Sequence, residues 1–444
     1  MPSISLGRKE QLYVVAETSY GEAAAPAGSG AIKHLNCTMQ LKDERADRSD
    51  RKSTRGLAER VAGRRNVEWS VDGYLVPSGT SATAPDISAL LECSFAKRTT
   101  NAAVVLSEPT ENGAILGSSG SLRIGDFVGF ELGGGFYAAC IIGVDPETSV
   151  VSWWPPLPSA PEVGATVRQS VNYRLRTDPQ GSVTIHRCID QEAQAVSGCV
   201  PNEWTWSFAA GDPAKVTISG FGADTAFAGA GSLYSAMDDA QLSFEYAGVP
   251  VYEPGTWVQI DDEALKVTAV DADSAVCTVL RAQCGTSAQA HDASAAIAPY
   301  RPAPATAGSP VTGVNGRCFL DDIELKITSA RLTVTENVSL LNNLYGSVVA
   351  ADYHYPQNRS VKLDAESFLT GEMGCLPLVT KTMSAAPFFL QSGNAVGQTF
   401  VLFAPKFQPE IPEIEAPADG VVPLALTGPA LEEAGEDEVF IAFL

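Results

Sequence analysis

Val67-Glu-Trp-Ser-Val-Asp-Gly-Tyr-Leu-Val76 alternates apolar and polar residues, the period-2 signature of a strand with one buried face. Arg359-Ser-Val-Lys-Leu-Asp-Ala-Glu-Ser-Phe368 is patterned alike and lies 292 residues further on. Leu35-Asn-Cys-Thr-Met-Gln-Leu-Lys-Asp43 and Ile327-Thr-Ser-Ala-Arg-Leu-Thr-Val-Thr335 form a second pair at the same offset. In a third pair, the hairpin-like stretches Trp204–Gly220 and Ile414–Gly428, the offset falls to 210. The 82-residue difference reads as a small domain inserted into the first copy only. Each match alone is weak; their common order and spacing make the duplication.

Composition agrees with a folded, β-rich chain. The 444 residues are 45% apolar and 18% charged, with 28 Pro and 39 Gly among short Val/Thr-rich alternating runs. The best helical stretch is Asp86–Ala96, where Asp86 can cap and Ile87, Leu90, Leu91 and Phe95 share a face. A smaller repeat relates Gly125–Arg174 to Gly255–Arg301, each a run of short strands closing on Tyr-Arg, and predicts two small β-barrels or sandwiches. The predicted organisation is mainly β. A first large domain over 1–99 and 181–245 carries an inserted small domain at 100–180; a second small domain follows at 246–312 and a second large domain at 313–444.

Net charge is −22, which disfavours adhesion to DNA or to an anionic membrane. The first residues lack the apolar core of a signal peptide, no apolar run is long enough to span a bilayer, and maturation in the cytoplasm is expected. Nine cysteines without a CxxC pair read as reduced, buried thiols. Lys42–Arg65 is the exception in charge: Lys42, Arg45, Arg48, Arg51, Lys52, Arg55, Arg60, Arg64 and Arg65 stand among five acids. This is either a solvated hairpin or a projecting loop that docks on an acidic surface of another subunit. The equivalent stretch of the second copy is apolar instead, with Leu340, Leu341, Leu344 and Tyr345. Gln11–Ala16 reads as a strand followed by an Ala/Gly/Pro arm, and Glu438–Leu444 as a closing strand.

Chemistry is sparse. His34, His186, His291 and His354 are dispersed, no nucleophile motif is present, and Gly133–Gly135 is a hairpin turn and not a phosphate cradle. Asp261-Asp-Glu263 and Asp321-Asp322 read as solvated turns. Trp153-Trp154 and Trp204/Trp206 read as core and interface, with sugar stacking as the alternative. No cofactor, metal or enzymatic activity is expected.

Glu10-Gln-Leu-Tyr-Val-Val-Ala-Glu-Thr-Ser-Tyr-Gly21, the charged loop running into Arg64–Gly79, Gly198–Gly222, and Asp419–Ala430 with the acidic tail resemble major tail tube proteins of long, non-contractile-tailed phages. The resemblance covers about 250 residues and leaves out the small barrels. It implies β-sandwich tube domains with a short flanking helix, whose sheets join between subunits into a continuous barrel. It further implies the subgroup in which two fused tube domains form trimeric rings of pseudo-sixfold symmetry. The chain would then be a structural virion protein of stacked rings, made in the host cytoplasm, an acidic-lined conduit for ejected DNA. The 42–65 loop and the arm at 1–33 would join rings. Its partners would be itself, the tail tip or baseplate, the tape measure and the tail terminator, with no membrane. A β-rich virion decoration or carbohydrate-binding surface protein is the alternative.

Overall fold

The computed structural model describes residues 6–47, 60–100, 106–116, 122–178, 181–248, 250–371, 385–414, 417 and 419–444. Seven strands form one face of a sandwich: β1 (Asn36–Ala46), β2 (Val61–Tyr74), β3 (Glu192–Ala209), β4 (Lys215–Gly222), β5 (Ile327–Thr335), β6 (Ser360–Phe368) and β7 (Pro423–Pro429). Their order in space is β1-β2-β4-β3-β5-β6-β7, all antiparallel neighbours. The sheet therefore runs unbroken from the first copy into the second through the β3–β5 pair. Alternation explains each strand: Val67, Trp69 and Val71 of β2 are buried, while Glu68, Ser70 and Asp72 point the other way. Gly220 of β4 has room for no side chain, because a Cβ would lie 2.1 Å from the Val200 carbonyl and 2.8 Å from the Trp69 ring.

The second layer is also continuous, in the order 323–324, 317–320, 386–392, 400–407, 440–443, 171–175, 95–99. One hydrophobic core fills the space between the layers and draws on both copies, from Trp69, Trp204 and Trp206 to Leu332, Phe388 and Phe400. The two large domains are thus fused through their core. The helix α1 (Ser88–Ser94) lies beneath β3. Ile87, Leu90, Leu91 and Phe95 are buried as their spacing required, although Ile87 is the N-cap and Phe95 already opens the next strand. Asp86 does not cap; its carboxylate accepts the Lys33 N–H at 3.3 Å. Trp204 and Trp206 stack at 5.4 Å with Phe95 edge-on to both, and the Trp204 Nε1–H donates to the Ser94 hydroxyl at 3.2 Å.

Each small domain is a separate β unit with its own core. The strands at 231–233, 243–247, 276–283, 263–271, 257–260 and 296–299 close a barrel in that order. Strands at 106–107, 113–116, 150–154, 135–145 and 127–132 follow the same order. There the ring is completed by 164–168, through Leu106 N–H to Ala165 O (3.0 Å) and Arg168 N–H to Gly129 O (2.8 Å). The chain leaves the sandwich at Thr99 and re-enters at Val171, and the two flanking strands are antiparallel neighbours, so this unit is an insertion into a hairpin. Strand Val171–Leu175 accordingly belongs to the sandwich and not to the span 100–180, and 231–247 belongs to the barrel and not to the span 181–245. The inserted unit docks on the outside of the second layer. Phe127, Phe136 and Trp154 meet Phe389, Phe403 and Phe440, and the Gln391 amide bonds the backbone of Phe136 and Ala138 at 2.9 Å each.

From residue 6 onward, the described part of the expected N-terminal arm is folded onto the body. Strand Glu10–Ala16 pairs with Val183–Ile189 and with Ala31–Ile32, burying Leu12, Tyr13 and Val14. Phe440–Phe443 pairs on both sides and Leu444 is buried, as a closing strand requires.

Candidate assembly surfaces

The β1–β7 sheet has two ends. At one, β1 has β2 alone as strand neighbour. At the other, the chain after Phe407 runs beside β7: Gln408 N–H donates to Pro429 O (3.0 Å) and Glu410 N–H to Thr427 O (2.7 Å). This stretch holds Pro409 and Pro412, residues confined to sheet edges because they donate nothing. Apolar side chains stand exposed at both ends, Leu35 (51%) and Leu41 (40%) at one, Ile411 (56%) and Ile414 (42%) at the other.

The joint in the middle of the sheet looks different. Glu203–Ala209 of β3 pairs with Ser329–Thr335 of β5, and Trp204, Trp206, Leu332 and Val334 are fully buried. Beyond them the Glu336 N–H donates to Asn202 O at 2.8 Å. The Glu336 carboxylate, 4% exposed, lies 3.5 Å from the Arg359 guanidinium, which also meets Glu438 at 3.1 Å and donates to Arg176 O at 2.6 Å. Burial pushes the Glu336 carboxyl up to about 7, and the Arg359 charge offsets only part of that. Sequence reasoning passed over this network. Its one signal was Arg359, a charge at the position that Val67 holds in the first copy.

β1 and β2 extend past the sandwich as a hairpin, and most described bases on it pair within the chain. Lys42 lies 3.1 Å from Glu68, Arg45 2.5 Å from Asp43, Arg60 2.7 Å from Asp47, and Arg65 2.7 Å from Asp224. Such exposed pairs contribute about 0–1 kcal/mol each. Arg64 is exposed; Arg48, Arg51, Lys52 and Arg55 lie outside the described residues. The second-copy loop is anchored on the body at its base. Leu340, half-buried, packs with Val200, Val338 and Tyr353, and Leu341 bonds Asp352 O through its N–H at 2.7 Å. Leu344 (53%) and Tyr345 (fully exposed) form its tip.

The face of the sheet away from the core is rich in hydroxyls. Cross-strand rows run Thr38-Ser70-Ser219-Glu203-Thr335-Ser360 and Asn36-Asp72-Thr217-Thr205-Thr333-Lys362. Its acids are Glu68, Asp72, Glu203, Asp364 and Glu366, and its bases are Lys42, Lys215, Arg331 and Lys362, nearly balanced. The acidity of the chain is therefore not concentrated on these strands.

Elsewhere, Glu263 departs from the expected solvated turn. It is wholly buried in the closed barrel, chelated by Arg281 (2.6 and 2.7 Å) and bonded to His291 at 3.0 Å, with Asp261 on the other ring nitrogen at 2.8 Å. Against the upward push of burial, those bonds and the Ala282 and Gln289 N–H groups hold its carboxyl at about 2. The six tryptophans are buried or half-buried, so none offers an open ring face for sugar stacking. Among the described residues, no group of three or more His, Cys, Asp or Glu side chains is placed to hold a metal ion, and no helix is long and apolar enough to cross a membrane.

The β1–β7 sheet is laterally continuous across both copies and carries exposed apolar side chains at its two ends. The phage tail tube protein family model matches residues 7–372, and the chain belongs to that family. It is a structural protein of the virion tail, of a family that assembles into tubes. No curated protein matches the chain.

Proposed function

We propose that three copies of this chain close into a ring and that the rings stack into the tail tube through which DNA leaves the virion. The observation that carries this reading is the unbroken β1–β7 sheet, open at both ends and crossing from one tube domain to the other inside a single chain. Counting the edge stretch after Phe407 as an eighth strand, three chains supply about 24 strands; at ~4.8 Å spacing and ~40° tilt they close at a backbone diameter of roughly 48 Å. Side chains narrow this to about 38 Å, wide enough for a hydrated duplex. Closure removes the open edges.

In this ring the hydroxyl-rich face lines the bore. In place of the acidic lining that the resemblance implies, this reading puts a wall of Ser and Thr with interspersed ion pairs such as Lys362–Asp364 (3.1 Å) and Lys42–Glu68 (3.1 Å). Such a wall offers phosphates few unpaired cations, so DNA slides without sticking. The inserted barrel, on the far side of the second layer, decorates the exterior. The hairpin tip of 42–65 and the apolar tip at Leu344 and Tyr345 contact the next ring, giving two kinds of contact around a pseudo-sixfold circle. The tail tip or baseplate, the tape measure and the tail terminator are the further partners, and assembly takes place in the host cytoplasm. The role is mechanical and needs no enzymatic step. Negative-stain imaging of the purified chain tests the reading: stacked-ring tubes support it, and a chain that stays monomeric at high concentration overturns it.

A further inference from the structure

The internal duplication carries a residue-level consequence for the ring, and this consequence rests on the ring reading above. We infer that the two open edges are joined between neighbouring copies in one fixed antiparallel register, with Cys37 of one copy opposite Ile411 of the next.

The register follows from matching the joint inside the chain. Val71 lies opposite Cys37, and its counterpart Leu363 lies opposite Leu332; Trp69 lies opposite Met39, and Val361 opposite Val334. Cys37 and Met39 therefore hold the places of Leu332 and Val334. On the other side Gly73 faces Val216 as Ala365 faces Leu426, so β4 and β7 correspond. Trp206 faces Val216 and Trp204 faces Ile218. The bonds from Gln408 to Pro429 and from Glu410 to Thr427 put Ile411 and Pro409 in those two places. Within the chain Trp206 pairs with Leu332 and Trp204 with Val334. Between chains, Ile411 then pairs with Cys37 and Pro409 with Met39.

Three observations favour a second copy as the occupant. The edges lie at opposite ends of a seven-strand sheet, about 30 Å apart at ~4.8 Å per strand, so one chain cannot pair them with each other. On the same edge Leu41, exposed in the single chain, continues the line of Cys37 and Met39 to the point where the neighbour's edge ends, because Phe407 is already paired with Ala386 and Ala430. Leu35 and Ile411, both exposed in the single chain, fall on the line of the joint. Pro409 removes one donor from the new pair, which leaves this joint one hydrogen bond poorer than the one at Trp204.

The test uses the natural thiol. Directly opposed residues of an antiparallel pair sit about 5.5 or 4.5 Å apart at Cα, within disulfide range. The full-length Ile411→Cys chain, assembled and treated with a mild oxidant, should run on non-reducing gels largely as covalent dimers and closed trimers, and Ile411→Cys/Cys37→Ser should not. Where Ile411→Cys itself prevents assembly, the pair Met39→Cys with Pro409→Cys in a Cys37→Ser chain reports the same register. Rings that form without either cross-link, or that cross-link Cys37 to Glu413→Cys instead, overturn the register while leaving the ring. An unaltered chain that forms no rings overturns the ring reading, and this joint with it.

Discussion

The hairpins β1–β2 and β5–β6 occupy equivalent places in the two copies, yet they finish their core sides with opposite chemistry. Where Leu41 faces Val67 in the first, Glu336 faces Arg359 in the second, and Glu438 adds a further carboxylate. The ion pair lies at the joint made within one chain, where folding delivers both partners together. The apolar pair lies at the open edge of the sheet. Burying an ion pair costs desolvation that only good geometry and extra hydrogen bonds offset. An apolar edge carries no such demand and suits an association between separate chains. The difference also separates the joints: an edge offering Leu41 is a poor substitute for one that must deliver Glu336 to Arg359.

The largest effect should come from removing one partner of the buried pair. Arg359→Val removes the counter-charge shared by Glu336 and Glu438 and should cost about 3–5 kcal/mol in denaturant unfolding. Glu336→Leu combined with Arg359→Val copies the Leu41–Val67 pair and should recover the part of that loss due to Glu336, Glu438 still lacking its partner. If the double variant is no better than the single, the two hairpins are not interchangeable frames. Next in size is a pH effect. The Glu336 carboxyl titrates near 7 in the folded chain against 4.5 unfolded, so below about 4.5 it is protonated in both states and costs nothing. As pH rises from 4.5 to 7, the unfolded state loses its proton first and stability should fall by on the order of 2–3 kcal/mol from this group. Unfolding titrations of Glu336→Gln should lack that decline.

Smaller effects on the single chain separate folding from assembly. Leu41→Glu, at a half-exposed site, should change unfolding by about 0.5 kcal/mol or less yet prevent ring closure in negative stain. Arg45→Glu with Arg64→Glu should leave rings intact and shorten their stacks, and added salt should shorten the stacks of the unaltered chain in the same direction. Tyr345→Ser, at the fully exposed tip of the second loop, should leave the melting temperature unchanged and reduce mean tube length least.

How much of this was legible in the sequence depends on what alternation can encode. The 292-residue match of Val67–Val76 holds in the sheet, since Trp69 and Val71 correspond to Val361 and Leu363, and the 210-residue offset relates β4 to β7. For β1 the offset is 295, and the shorter match would have set Cys37 against Ser329, which points to the other face. A slip of three residues is an odd step that turns the strand over, and bulges, such as those at Asp43/Arg45 and Ile327/Ser329, change the count by one unseen. The match of Trp204 to Ile414 likewise slips, because Pro409 holds the Trp204 place and the second turn is longer. Helix residues Leu90 and Leu91 were readable because their spacing decides their burial. The Glu263 cluster was not, because Arg281 and His291 meet it only once the barrel closes.

Cryo-EM of tubes formed by the purified chain tests the central claim most directly. The account predicts three chains per ring around a continuous barrel, with the Trp206–Leu332 joint alternating with the Ile411–Cys37 joint. Six chains per ring, or rings whose sheets do not join edge to edge, would contradict it.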